Sequence, residues 1–220
     1  MKNEFWLERW RTGQIGWHQA EVNPLLVKHW PQLELPEDCP VFVPLCGKTL
    51  DMIWLRRRGH PVYGVEIAEA AVRGFFDENG IRFEVAENRE GLPRFSGGGY
   101  RIYCGDYLEI SAPQIGATQG TYDRGALIAF PPDKRPIYAD HVQRVIPDGG
   151  ETLLITLDYD QARAPGPPFS VPEEEVQALY GERCRIRRLD YFETDLVPPH
   201  FKEAGLATVM EGIYRITKEH

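Results

Sequence analysis

The sequence predicts an α/β fold: an open, mostly parallel sheet with helices on both faces and a ligand at the carboxyl rim of its strands. Three observations carry the prediction. Strand-like and helix-like runs alternate along the chain, the pattern of βαβ units. Residues 39–66 read as one complete strand, glycine turn, helix and strand. Acidic residues also recur at the ends of successive predicted strands, at Glu66, Asp106 and Asp123, the side on which open α/β sheets bind ligands. The chain has 220 residues, enough for one domain, residues 1–220, with a sizeable core and short for two.

Residues 3–12 place Phe5, Trp6 and Trp10 along a short amphipathic helix. Two readings stand side by side: the aromatics tack the segment onto the core, or residues 1–30 form a lid whose aromatic face closes over the ligand, above all a cationic one. Gly13 and Gly16 break this helix, and Asn23-Pro24 has the N-cap and first-turn chemistry of another over residues 25–30. Residues 41–45 are a buried strand feeding a turn at Cys46-Gly47. Residues 48–58 follow as a helix with Leu50, Ile53 and Trp54 inward and Met52 and Leu55 as further candidates for that face, stopped by Gly59. A second strand, 61–65, ends in Glu66, 19 residues after Gly47.

A glycine turn lets main-chain N–H groups approach a ligand, and a carboxylate at the next strand tip accepts two hydrogen bonds from ribose hydroxyls. Gly47 and Glu66 are therefore candidates for holding a nucleoside. No G-x-G-x-x-G is present here, which argues against a pyrophosphate ligand. Gly47-Lys48-Thr49 mimics the end of a phosphate-binding loop, but the glycine required five positions earlier is Phe42.

Residues 68–79 form the next predicted helix, with Ala71, Val72, Phe75 and Phe76 inward and Asn79-Gly80 as its cap. Residues 82–86 and 100–104 are strand-like, joined by a Gly/Pro/Ser-rich connection in which Gly97-Gly98-Gly99 reads as a hairpin tip without a ligand role. A strand ending near Asp123 precedes a helix that starts at Pro131-Pro132-Asp133 and runs to Ile146, and residues 151–157 form a strong buried strand. Residues 164–172 read as a stiff loop crossing the top of the sheet. The remaining elements are a helix at 173–180 and two strands, 184–192 and 208–217, able to pair antiparallel at an edge.

Composition excludes several classes. A formal charge of −8 gives no electrostatic footprint for nucleic acid. Arg183, Arg185, Arg187 and Arg188 alternate as on the solvent face of a strand. Cys39, Cys46, Cys104 and Cys184 are far apart and form no C-x-x-C pair, so neither zinc nor a disulfide framework is expected. The start of the sequence lacks the apolar core of a signal peptide, and no apolar run approaches the roughly 20 residues that span a bilayer; the cytoplasm is the expected location and no membrane partner is expected.

The acids at the strand tips leave open a metal, general acid/base chemistry or hydrogen bonding to a nucleoside. The histidines His18, His29, His60, His141, His200 and His220 are scattered singly, against a metal, and no G-x-S-x-G elbow is present. Asp106 and Asp123 also fit as simple helix caps, and Cys46, with no basic partner, fits buried packing better than a nucleophile.

FWLERW, the FVPLCGKTLDMIWL run, YGVE, CGD, YDRGALIA and PGPPFSVP occur in this order, and together they resemble the thiopurine S-methyltransferase family, its bacterial form in particular. The resemblance covers essentially the whole chain. It implies a class I methyltransferase, Rossmann-like, with a seven-stranded sheet whose last strand is antiparallel and helices on both faces, and S-adenosylmethionine as methyl donor; a monomer without a metal is expected. It carries Trp10, Leu45, Glu66 and Arg124 across as donor-site positions, and Asp106 more loosely as a neighbour of the adenine.

The implied acceptors are small thiols of the thiopurine kind or selenium and tellurium compounds. Methyl transfer to an ionised sulfur is an in-line displacement that needs no general base, so no catalytic side chain is assigned; Arg124 orients either the donor carboxylate or an anionic acceptor. Two alternatives remain open, a nicotinamide-dependent oxidoreductase on a similar sheet and a non-catalytic domain that binds S-adenosylmethionine.

Overall fold

The computed structural model of the chain describes residues 3–86 and 91–219. Residues 87–90 of the connection read above, and His220, lie outside the described residues. The chain divides into two compact units, Met1–Tyr122 and Asp123–His220.

The first unit contains α1 (Asn3–Arg11), α2 (Pro24–His29), β1 (Val41–Pro44), α3 (Asp51–Arg57), β2 (Val62–Glu66), α4 (Glu69–Glu78), β3 (Glu84–Ala86), β4 (Arg94–Gly97), β5 (Tyr100–Cys104), α5 (Ala112–Ile115) and most of β6 (Gly120–Arg124). Its strands lie in the order β3-β4-β5-β2-β1-β6. β1, all four of whose residues are buried, runs parallel to β2, with Val41 opposite Val62, and parallel to β6, with Val41 opposite Gly120. The chain therefore leaves β1 to build on one side and returns to build on the other. At such a reversal the crossover connections diverge and leave a crevice beyond the carboxyl end of the central strand.

Local chemistry explains these elements. Asn23 caps α2 by accepting the Leu25 N–H at 2.8 Å, with Pro24 in the first turn. α4 buries Ala71, Val72, Phe75 and Phe76, the face its spacing predicts, and Phe75 meets Tyr100 of β5 edge to face at 5.0 Å. α3 is shorter than expected, starting at Asp51 instead of residue 48, because residues 46–49 are turned by positive-φ backbone at Leu45 (φ 47) and Gly47 (φ 51).

The second unit holds α6 (Arg135–Val145), β7 (Glu151–Asp158), α7 (Glu173–Tyr180), β8 (Cys184–Thr194), α8 (Pro199–Glu203) and β9 (Val209–Lys218). Its strands are ordered β7-β9-β8, and β9 is antiparallel to both neighbours, pairing Leu154 with Tyr214 and Arg188 with Tyr214 from either side. The antiparallel last strand is as expected. α8, absent from the sequence reading, is anchored by Phe201, buried with Ala164, Leu206 and Val209.

The described residues form nine strands, where the resemblance implied seven. One cause is local: the connection read as irregular contains β4, which pairs antiparallel with β5 across the glycine hairpin and with β3. Arg94-Phe95-Ser96-Gly97 is too short and too poor in branched residues to announce a strand. It is held by neighbours, Phe95 lying 5.7 Å from Phe83, which in turn lies 4.8 Å from Phe76 of α4. The expected strand at 82–86 shrinks to Glu84–Ala86, all exposed. No helix among the described residues is long and apolar enough to cross a membrane.

Candidate functional site

The carboxyl ends of β1 and β2 in the first unit meet at one carboxylate. Glu66, the last residue of β2, is 6% exposed. Its Oε2 accepts the main-chain N–H of Gly47 at 2.9 Å and its Oε1 that of Ala68 at 2.9 Å. Burial pushes the Glu66 carboxyl upward, while the N–H groups of Ala68, Gly47 and Ile67 pull it back. The two carboxylate oxygens together offer about four acceptor positions, so these N–H partners leave capacity for a ligand hydroxyl.

The β1 turn is shaped for close approach. Leu45 holds φ 47, a left-handed conformation that costs a non-glycine residue about 1–2 kcal/mol and persists where surrounding structure over-determines it. Cys46 continues the ladder by donating its N–H to Val65 O at 3.0 Å. Its thiol lies where a Cβ on Gly64 would come within 2.7 Å, and burial, with the Glu66 charge, pushes it well above its usual range. Cys46 is thus a protonated packing residue. Lys48 is drawn aside to Glu78, Nζ to Oε1 2.5 Å, and is not aimed into the turn as a phosphate-binding lysine would be.

Trp10 of α1 covers Gly47: a Cβ there would stand 3.2 Å from the indole ring. The indole belongs to an edge-to-face cluster in which Trp10 meets Trp17 at 5.9 Å, Trp17 meets Trp6 at 5.1 Å and Trp6 meets Phe5 at 5.1 Å. α1 buries none of its residues fully, so the cluster is an aromatic cover laid on the turn and not part of the core. At the tip of β5, beside β2, Asp106 caps a short turn by accepting the Leu108 N–H at 2.9 Å through Oδ1, and its Oδ2 accepts Asn3 Nδ2 at 2.8 Å. Asp106 thereby ties the start of α1 to the strand rim.

The first unit thus gathers five sequence-identified residues: Trp10, Leu45, Gly47, Glu66 and Asp106. Arg124 ends β6 and belongs to the second unit, where its charge counteracts the upward push of burial on the Glu211 carboxyl. Asp123 beside it is a brace. It is 1% exposed, Oδ1 accepts the Leu127 N–H at 3.1 Å and Oδ2 the Tyr138 hydroxyl at 2.7 Å, and burial pushes it up to about 6.

Sequence reasoning missed the partner that decides this, Tyr138, and no signal marked it beyond a polar group at a helix position facing the core. His60 is likewise structural: Trp30 Nε1–H donates to its Nε2 at 3.2 Å, which leaves Nδ1–H for Cys39 O at 3.0 Å. No cluster of three or more His, Cys, Asp or Glu suited to a metal ion occurs among the described residues.

A model of the thiopurine S-methyltransferase family matches residues 1–219. Thiopurine S-methyltransferase from Bordetella petrii is 47% identical over 219 residues, covering 100% of both chains. That from Nitrosospira multiformis is 43% identical over 216 residues, covering 97% of each. Among solved structures, the 1,6-didemethyltoxoflavin-N1-methyltransferase of Burkholderia thailandensis, with S-adenosylhomocysteine bound, aligns with TM-score 0.63 at 17% identity over 99% of this chain and 87% of that one. An S-adenosylmethionine-dependent methyltransferase from Anabaena variabilis aligns at 0.64 and 14% over 99% and 95%. At these identities the two structures speak for the shared fold.

Proposed function

Because this chain belongs to the thiopurine S-methyltransferase family, we propose that it is an S-adenosylmethionine-dependent S-methyltransferase acting on small thiols of the thiopurine kind or on selenium and tellurium compounds. The observation that carries the reading is Glu66, a buried carboxylate at a strand tip, oriented by the N–H groups of Gly47 and Ala68 with Trp10 over the same turn. When bound, S-adenosylmethionine supplies an electrophilic methyl group that a sulfur or selenium nucleophile takes by in-line displacement.

The chain's residues bind and align. Glu66 accepts the two ribose hydroxyls on the oxygen capacity its N–H partners leave unused. The positive-φ turn at Leu45 and Gly47 presents main-chain groups to the rest of the donor. The indole of Trp10, the exposed-side cover of that turn, offers its face to the sulfonium, worth roughly 0.5–2 kcal/mol, and α1 serves as the lid. Asp106 flanks the adenine, its carboxylate held in place by Asn3 and Leu108. Arg124 orients a carboxylate or an anionic acceptor by charge. An acidic thiol is ionised near neutral pH, so proton abstraction is not needed and alignment alone, worth about 7–11 kcal/mol, carries the rate. The protein acts in the cytoplasm as a monomer.

Isothermal titration with S-adenosylhomocysteine, followed by a labelled-methyl assay offering 6-mercaptopurine and selenite, tests the reading. Micromolar binding with transfer to either acceptor is expected; binding without transfer to any acceptor leaves only a donor-binding domain, and failure to bind overturns the reading outright.

A further inference from the structure

Asp51 opens α3 one turn beyond Gly47 and is 1% exposed. Its two oxygens serve different parts of the first unit. Oδ1 accepts the main-chain N–H of Asn23 at 2.8 Å, and Oδ2 accepts the hydroxyl of Tyr122 in β6 at 3.0 Å. Both partners are neutral. Burying a carboxylate against neutral donors costs more desolvation than burying an amide would, but a bond to a charged acceptor is roughly twice as strong as a neutral one. The arrangement joins the N-terminal segment, α3 and β6 through one charge-assisted pair of hydrogen bonds.

What the joint holds is the end of the N-terminal segment. Asn23 caps α2 through Oδ1, and its side-chain amide reaches back to Gln19 Oε1 at 3.4 Å. Two residues before Gln19, Trp17 stands edge-on to Trp6 and Trp10. The loop of residues 12–22 is fixed to α1 at its start, where Thr12 N–H and Gln14 N–H donate to Glu8 O and Arg9 O at 2.9 Å each. It is fixed to Asp51 at its end. Trp10, in turn, lies on Gly47. The segment is thus a closed strap whose far anchor sits on the helix that issues from the turn the strap covers.

We infer that Asp51 is a positioning residue for the donor site: through Asn23 it sets the strap that holds Trp17 against Trp10 and Trp10 on the Gly47 turn. The inference rests on the donor reading above, and it extends that reading to a residue with no contact to the ligand. A carboxylate there senses the strap and β6 together, because losing either hydrogen bond leaves a buried charge half satisfied.

The test is a two-by-two set: wild type, Asp51→Asn, Trp10→Ala and the double variant, with S-adenosylhomocysteine affinity by calorimetry and amide exchange of the unliganded proteins. Asp51→Asn keeps the size of the side chain and loses its charge. Its Kd is expected to rise about tenfold, equivalent to 1.4 kcal/mol, with faster exchange confined to residues 12–22. In the Trp10→Ala background the same change is expected to add less than about twofold, since the cover it positions is gone.

Tyr122→Phe, which removes one donor and leaves the carboxylate, is expected to raise Kd about threefold and carries the test if Asp51→Asn does not fold. Unchanged affinity in Asp51→Asn, or a tenfold loss that persists in the Trp10→Ala background, overturns the inference and makes Asp51 an ordinary stabilising residue. Failure of the wild type to bind sinks the donor reading instead, and the exchange data, read without any ligand, bear on Asp51 alone.

Discussion

Glu66 and Asp123 are both buried carboxylates at the ends of parallel strands, and they do different things. Glu66 is held by N–H groups of the Gly47 turn and of Ala68 at the start of α4, backbone that faces the strand rim. Asp123 is stoppered by the hydroxyl of Tyr138, a side chain itself fully buried in α6, and by the Leu127 N–H. Burial pushes both upward. Where main-chain groups at the strand tips hold the acid, as at Glu66, it is a binding candidate; where a core side chain fills its second oxygen, as at Asp123, it serves the fold.

The contrast can be broken at either end. Asp123→Ala removes the buried acceptor of the Tyr138 hydroxyl and the Leu127 N–H, so unfolding free energy should fall by about 2–4 kcal/mol, read as a lower urea midpoint; an unchanged midpoint would place Asp123 among the ligand residues after all. Glu66→Ala should act on a second axis as well. Donor affinity is expected to weaken by about 1–3 kcal/mol through lost charge-assisted hydrogen bonds, beside a fall in midpoint, since the freed N–H groups of Gly47 and Ala68 are themselves buried. Calorimetry showing wild-type affinity would remove Glu66 from the ribose.

The smallest expected effect is in pH. The folded pKa of Asp123, about 6, stands above its unfolded value of 3.8, so its contribution is fully present below 3.8 and is lost as pH rises through about 6; between pH 7 and pH 5 it should add about 1 kcal/mol. His60, whose folded pKa burial lowers from 6.5, works in the opposite sense, its contribution present above 6.5 and lost as pH falls toward the folded value. Asp123→Asn should therefore expose the His60 slope, stability falling more steeply on acidification than in the wild type. Parallel pH profiles for the two proteins would contradict the assignment.

Legibility followed range. The β1–α3–β2 unit, the inward face of α4 and the cap at Asn23 were readable because each depends on residues within a turn or two, where spacing and N-cap chemistry act directly. Glu66 was readable for the same reason: its strand, its glycine turn and its terminal position lie within one βαβ unit. β4 was not, because Arg94–Gly97 has no strand signal of its own and exists by pairing with β5 and packing Phe95 near Phe83. Asp51 fell inside the expected helix 48–58 and carried no signal of its own. Nothing adjacent to it in sequence announces Asn23, 28 residues earlier, or Tyr122, 71 residues later.

By itself, the sequence determined the kind of fold, the strand tip that ends in Glu66 and the family to which the motifs point, since these rest on local periodicity and on residue types that few other folds need in that order. Only the tertiary structure decided that Asp123 is braced by Tyr138 while Glu66 stands among main-chain N–H groups, that Cys46 stays a protonated packing group beneath Gly64, and that Trp10 covers Gly47. The physical reason is that a polar group's role is set by which donors and how little water surround it once buried, and those neighbours are brought together by the fold from positions far apart along the chain.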